Sequence, residues 1–234
     1  MISNYTEIQN KSVDEKLNIV EAISSLNNFS DDDFVVLEYL SLDEDSEVRA
    51  KVAEILVFSE SSKAEKILIK LLMDKDELVR VNACDSLCTS NSIEVLNLLK
   101  NVVSKDKSNL VKGYASMSIA DIASSIDISK SEFVDFFKQL IKKEKSGWVK
   151  IHFYKALYLL GDNSSLEMIL NGLNSNSYRN RCAVVNILDE LVSSENVEVI
   201  EEKLIKKLKV EKATSVKSSV ENVLHRIETA IKNA

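Results

Sequence analysis

With 234 residues, 45% of them hydrophobic and only 6% aromatic, the chain fits one or two compact domains or one elongated array. The absence of proline and the presence of only four glycines exclude a β-sandwich or barrel, whose many turns need positive φ. The formal charge of −7 is uneven. Residues 1–130 carry 14 basic and 23 acidic side chains, a net −9, and residues 131–234 carry 16 and 14, a net +2. Such an acidic first half repels nucleic acid and anionic membranes and suits a basic partner.

In chain order, the opening MISNYTEIQNKSVDEK lacks a basic segment followed by an apolar run, so no signal peptide is expected. From Glu15, EKLNIVEAI starts a nine-residue pattern that recurs along the chain. FVVLEYLSL (34–42) is an amphipathic stretch preceded by the cap-forming Ser30-Asp31-Asp32, and the acidic turn Asp43-Glu44-Asp45 follows it. VRAKVAEIL from Val48 is the second copy. AEKILIKLLM (64–73), capped by Ser61-Ser62, leads through Asp74-Lys75-Asp76 into VRVNACDSL from Val79. IEVLNLLKNVV (93–103), capped by Asn91-Ser92, precedes VKGYASMSI from Val111, and FVDFFKQLI (133–141) precedes VKIHFYKAL from Val149. LEMILNGL (166–173), NRCAVVNIL from Asn180, VIEEKLIKKL (199–208) and VKSSVENVL from Val216 complete the series before a polar C-terminal segment.

Each copy opens on a basic residue: Lys16, Arg49, Arg80, Lys112, Lys150, Arg181 and Lys217, at intervals of 33, 31, 32, 38, 31 and 36 residues. A repeat of this length is one supersecondary unit in an array. Apolar residues at −1, +3, +6 and +7 from the basic residue form one stripe on an inner helix, and the intervening stretches form outer helices. A lone pair leaves a stripe bare that stacking on the next pair buries. The expectation is all-α: one α-solenoid over residues 1–234, of about six and a half helix pairs. An arginine in the first turn of a helix opposes the helix dipole, so it needs another reason to be there. Pairing with a carboxylate of the preceding turn, or of a neighbouring unit, supplies one. A phosphate-binding ladder is the weaker alternative, because the nearby acids neutralise it.

DEDSEVRAKVAEIL (43–56) and DKDELVRVNACDSL (74–87) carry a resemblance to HEAT repeats, especially the short bacterial type also seen in phycobilin-lyase-like proteins. The resemblance spans nearly the whole chain and implies an α-solenoid whose inner helices line a concave face. The helix-kinking proline of longer HEAT repeats is absent.

Catalytic chemistry finds little support. The two histidines, His152 and His225, stand about two units apart, and there is no zinc spacing, no HExxH and no phosphate-cradling glycine loop. Cys84 and Cys88 stand one helical turn apart, and with Cys182 they read as interior thiols of a reduced setting. No metal, no cofactor and no enzymatic activity are expected. No run approaches the roughly 18 apolar residues that span a bilayer. A cytoplasmic location, with no membrane contact, follows as an expectation.

Positions +2, +5 and +9 point away from the apolar stripe, and their charges sum to a negative value, which argues against DNA. There Asn82, Asp85, Tyr114, Met117, Asp121, His152 and Lys155, with Trp148 nearby, combine aromatics, methionine and mixed charge, as protein interfaces do. These are the candidate binding residues. The leading expectation is a non-enzymatic scaffold binding a protein or peptide on this face. A lyase-like accessory or chaperone, an immunity or antitoxin-type binder and, last, a DNA glycosylase-like reader are the alternatives.

Overall fold

A computed structural model describes residues 7–26 and 28–232, with the side chains of Ile231 and Lys232 left out. The first six residues of the N-terminal segment read above, and the last two of the polar C-terminal one, lie outside this range. Every regular element among the described residues is helical. The chain divides into two compact units, Met1–Lys130 and Ser131–Ala234.

The first unit holds α1 (Val13–Ser24), α2 (Asp31–Leu40), α3 (Ser46–Ile55), α4 (Ser62–Leu71), α5 (Glu77–Ser86), α6 (Ile93–Lys105) and α7 (Asn109–Ser125). Short 3-10 turns, Leu56–Phe58 and Leu87–Thr89, extend α3 and α5. The inner helices α1, α3, α5 and α7 pack in succession, and α2, α4 and α6 form the outer layer. The apolar stripe closes as the periodicity requires: Val48, Val52, Ile55 and Leu56, then Val79, Ala83 and Leu87, then Val111, Ala115 and Ile119, are all buried.

The second unit holds α8 (Ser131–Lys143), α9 (Gly147–Leu159), α10 (Ser165–Asn171), α11 (Tyr178–Leu191), α12 (Val197–Val210) and α13 (Thr214–Lys232), with a 3-10 turn at Gly172–Asn174. Its core joins Ile151, Ile169, Leu173, Val184, Leu188, Ile200, Leu204, Val216 and Val220. Phe137 of α8 meets Phe153 of α9 with ring centroids 5.5 Å apart.

Two glycines are needed where they stand. Gly161 has φ +98°; its N–H donates to Tyr158 O while Asp162 N–H donates to Leu157 O, a left-handed cap that ends α9. At Gly172 an added Cβ would lie 2.6 Å from Val184 Cγ2, so only hydrogen fits between α10 and α11.

The recurring cation explains the turns. Four residues before it stand Ser12, Asp45, Asp76, Ser108, Ser146 and Ser177, N-caps whose side chains accept backbone N–H groups of the first turn, and in the last copy Ala213. Six residues before it stands an acid that accepts the N–H of that cap residue: Asp43 from Asp45, Asp74 from Asp76, Asp106 from Ser108, Glu144 from Ser146 and Glu211 from Ala213. At Asp43, Asp74, Asp106 and Glu211 the same acid also receives the cation of the preceding repeat. Arg49 donates to Asp74 through Nε and Nη2 at 2.7 and 2.8 Å, and Arg80 donates to Asp106 likewise at 2.7 and 3.0 Å. In the second unit Arg181 holds Glu211 through two bonds of 2.7 Å, and at the start of the first Lys16 reaches Asp43 at 2.8 Å. The remaining Nη1 of each arginine donates to the carbonyls of its own turn, as Arg49 does to Asp43 and Glu44.

Each arginine therefore satisfies one turn and clamps the next. Burial raises the Asp74 and Asp106 carboxyls, but the arginine bonds and the cap N–H groups hold both below the usual range; Glu211, gripped by Arg181, lies far below it. Of the two pairings foreseen for the cation, the carboxylate of the following unit is the one formed. In the interval after Lys150 this acid position is filled by Ser175, and Lys150 has no ion-pair partner among the described residues.

Candidate interaction surface

Side-chain bonds to backbone fix the register of the inner helices of the first unit. Asn82 Nδ2 donates to Ala50 O at 3.0 Å, Ser86 Oγ to Glu54 O at 3.4 Å and Ser118 Oγ to Cys84 O at 2.6 Å. With α3, α5 and α7 so aligned, positions +2, +5 and +9 form one face. Tyr114 is exposed there, Met117 is half-buried, and Asp85 and Asp121 are exposed. Phe58, at the end of the 3-10 turn after α3, is 70% exposed.

The electrostatics of this face are acidic. Lys51 is already paired with Glu54 at 2.9 Å, leaving Asp85 to set the sign. Although Asp85 is exposed as a residue, partial desolvation of its carboxyl pushes it up, and Cys88 is pushed up by burial and then by Asp121 and Asp85. A thiolate is thus disfavoured at Cys88, and more so at fully buried Cys84. Both thiols are free. Asn82 belongs to the register more than to the surface, because its amide is occupied by Ala50.

The second unit carries the other three candidates. The Trp148 and His152 rings lie 3.8 Å apart between centroids, tilted by 33°, and His152 Nδ1 lies 2.9 Å from Trp148 O. A carbonyl accepts, so Nδ1 carries the proton and Nε2 keeps its lone pair. Burial, aided by Lys155, lowers His152 to about 4, so the ring is neutral at physiological pH. Lys155 corrects the expectation of an outward-pointing side chain. It is 9% exposed, with Nζ 2.5 Å from Glu190 Oε2 on α11. The next helix supplies a carboxylate that lets the ammonium stay under cover.

Of the eight sequence candidates, Asn82, Asp85, Tyr114, Met117 and Asp121 share the face of the first unit, and Trp148, His152 and Lys155 belong to the second. Phe58 stands at the +9 position that the repeat register assigns to this face, though it was not among the candidate binding residues, and Cys88, expected as an interior thiol, is half-buried at +8. Among the described residues no group of three His, Cys, Asp or Glu side chains could hold a metal ion. Nor is any helix there long and apolar enough to cross a membrane.

With the stapled turns and paired helices established, the likeness to known proteins can be placed. Residues 35–120 match the family described as HEAT repeats. This segment is made of HEAT repeats. It lies wholly inside the first unit and includes Arg49, Arg80, Asp74 and Asp106, so the staples are part of the HEAT pattern here. No curated protein matches the chain. Among solved structures, the complex of CpcE and CpcF of phycocyanin lyase from Nostoc sp. PCC7120 is similar, with a TM-score of 0.62 at 16% identity. That likeness covers 95% of this chain and 92% of the other. Human deoxyhypusine hydroxylase in complex with glycerol gives a TM-score of 0.47 at 15% identity, over 97% of this chain and 96% of that one. The first of these likenesses shows a shared HEAT-type solenoid fold.

Proposed function

We propose that the chain is a non-enzymatic scaffold that binds a protein or peptide, and that the first unit takes a basic segment on the face bearing Asp85, Tyr114, Met117 and Asp121. The observation that carries this reading is exposed Phe58 and Tyr114 standing with the Asp85 carboxylate on a face whose lysine, Lys51, is already neutralised by Glu54. Exposed aromatics offer large contact area at low entropic cost, and net negative charge steers a basic partner. The thiols, pushed up by burial, and His152, lowered to about 4, lack the activation that nucleophilic or general-base chemistry at neutral pH requires. An acidic face also gains nothing from phosphate contacts, which disfavours nucleic acid.

The test is calorimetric titration of the full chain with peptides that place an apolar anchor beside lysine or arginine. Combined Tyr114→Ala and Met117→Ala is expected to weaken binding by more than about 2 kcal/mol, and Asp85→Asn with Asp121→Asn to weaken it most at low salt. Equal affinity of the wild-type and Ala-substituted chains would remove these anchors from the account.

A further inference from the structure

The outer helices of the first unit are strapped together unevenly. Two exposed ion pairs cross from α2 to α4: Asp31 with Lys63 at 2.6 Å, and Glu38 with Lys70 at 2.7 Å. The interval from Arg49 to Arg80 is 31 residues, and shifting both pairs by it gives the matching registers on α4 and α6. These are Ser62 with Glu94, and Ile69 with Asn101. Neither combination can make a salt bridge. Both seams contain grooves, but of different character. The groove between α2 and α4, about 590 Å³, is rimmed by the four paired charges. The groove between α4 and α6, about 760 Å³, is walled by Ile69, Met73, Leu98 and Val102.

Met73 is 83% exposed at the mouth of this second groove, although burying its side chain would be favourable. The charge around it is equally distinctive. The two carboxylates that reach the groove are engaged, Asp74 by Arg49 and Asp106 by Arg80. Lys105 and Lys107 line it too, and neither has an ion-pair partner among the described residues. A cationic rim on an apolar trough thus stands in the half of the chain that is otherwise acidic. The trough falls within the about 300–1,000 Å³ typical of binding clefts, and methionine adapts to varied apolar shapes.

We infer that the groove between α4 and α6 docks an acidic amphipathic segment of a partner protein. Its apolar side chains lie on Ile69, Met73, Leu98 and Val102, and its carboxylates face Lys105 and Lys107. An amphipathic helix laid in a groove is the recognition mode that this combination of trough and rim serves. The occupant is opposite in charge to the basic segment proposed for the Tyr114 face, so the two surfaces are tested by different peptides.

A display library of short peptides selected on the full chain provides the test. Each enriched peptide is then measured by fluorescence polarisation against wild type, Met73→Ser, and Lys105→Glu with Lys107→Glu. Because these side chains are exposed, the variants are expected to keep the wild-type melting temperature, which is measured alongside. The expected result is enrichment of peptides with apolar residues at i, i+3, i+4 and i+7 and Asp or Glu on the flanking positions, binding about tenfold more weakly to either variant. Enrichment of basic peptides only, or equal binding to all three proteins, overturns the proposal. So does a shift of the Met73 methyl resonance by sodium decanoate when no peptide moves it, which would make the groove a site for small amphiphiles.

Discussion

Removing Asp74 should cost far more than its distance from any binding residue suggests. Its side chain is 10% exposed and that of its partner Arg49 only 5%. Asp74→Asn keeps an oxygen for the Asp76 N–H and one bond from Arg49, but leaves the guanidinium buried without its counter-charge. Arg49→Met strands the carboxylate and also abandons the Asp43 and Glu44 carbonyls. Breaking a buried pair from one side typically costs about 3–5 kcal/mol. We therefore expect about 2–3 kcal/mol for Asp74→Asn, where one bond survives, and about 3–5 kcal/mol for Arg49→Met. The double variant should lose about 2 kcal/mol less than the sum, the coupling of residues in direct contact. Urea unfolding followed by circular dichroism gives all four corners of the cycle. The exposed pair Glu38–Lys70, at 55% and 58% exposure, is the internal control and should couple by less than about 1 kcal/mol. A coupling for Arg49–Asp74 no larger than for this control would refute the staple as a stabilising link between units.

Three further outcomes follow from the same reasoning. Ser175→Asp supplies the missing acid 25 residues after Lys150, the spacing of Arg49 and Asp74, and should raise the urea midpoint by an amount equivalent to about 0.5–1 kcal/mol. Gly172→Ala, normally favourable in a helix, should instead destabilise by about 1–3 kcal/mol, because its methyl group meets Val184 at 2.6 Å; a gain in thermal stability would show that α11 yields easily. His152, lowered from 6.5 to about 4, binds fewer protons folded than unfolded between those values. Its contribution is therefore fully present above about pH 6.5 and lost as pH falls towards 4, so His152→Gln should flatten the stability profile across that window. An unchanged profile would place the imidazole in water.

The architecture was legible in the sequence because a 31–38-residue repeat forces one helix pair to bury its stripe on the next. Even the staple lay in plain view, in the acids before Arg49 and Arg80. What the residues alone left open was which carboxylate each arginine takes, since a turn and its neighbour offer similar charges. The fork geometry decides it: Nη1 serves its own turn's carbonyls, leaving Nε and Nη2 directed at the following unit. Lys155 shows the limit of reading one helix at a time. Its +5 position looks outward on α9, and only the approach of Glu190 on α11 makes burial tolerable. The i, i+4 spacing of Trp148 and His152 was visible too, but their stacking depends on rotamers that spacing does not set. The apolar character of the groove between α4 and α6 was missed because it arises from a substitution between repeats, Glu38–Lys70 giving way to Ile69–Asn101. No single helix betrays that.

The central claim, that the face of α3, α5 and α7 binds a basic segment, is tested most directly by hydrogen exchange of the full chain with and without a bound lysine-rich, apolar-anchored peptide. The account predicts slowed exchange in the segments containing Asp85–Thr89 and Tyr114–Asp121, abolished by Tyr114→Ala with Met117→Ala. Protection confined to the outer helices α2, α4 and α6, with α5 and α7 unchanged, would contradict it.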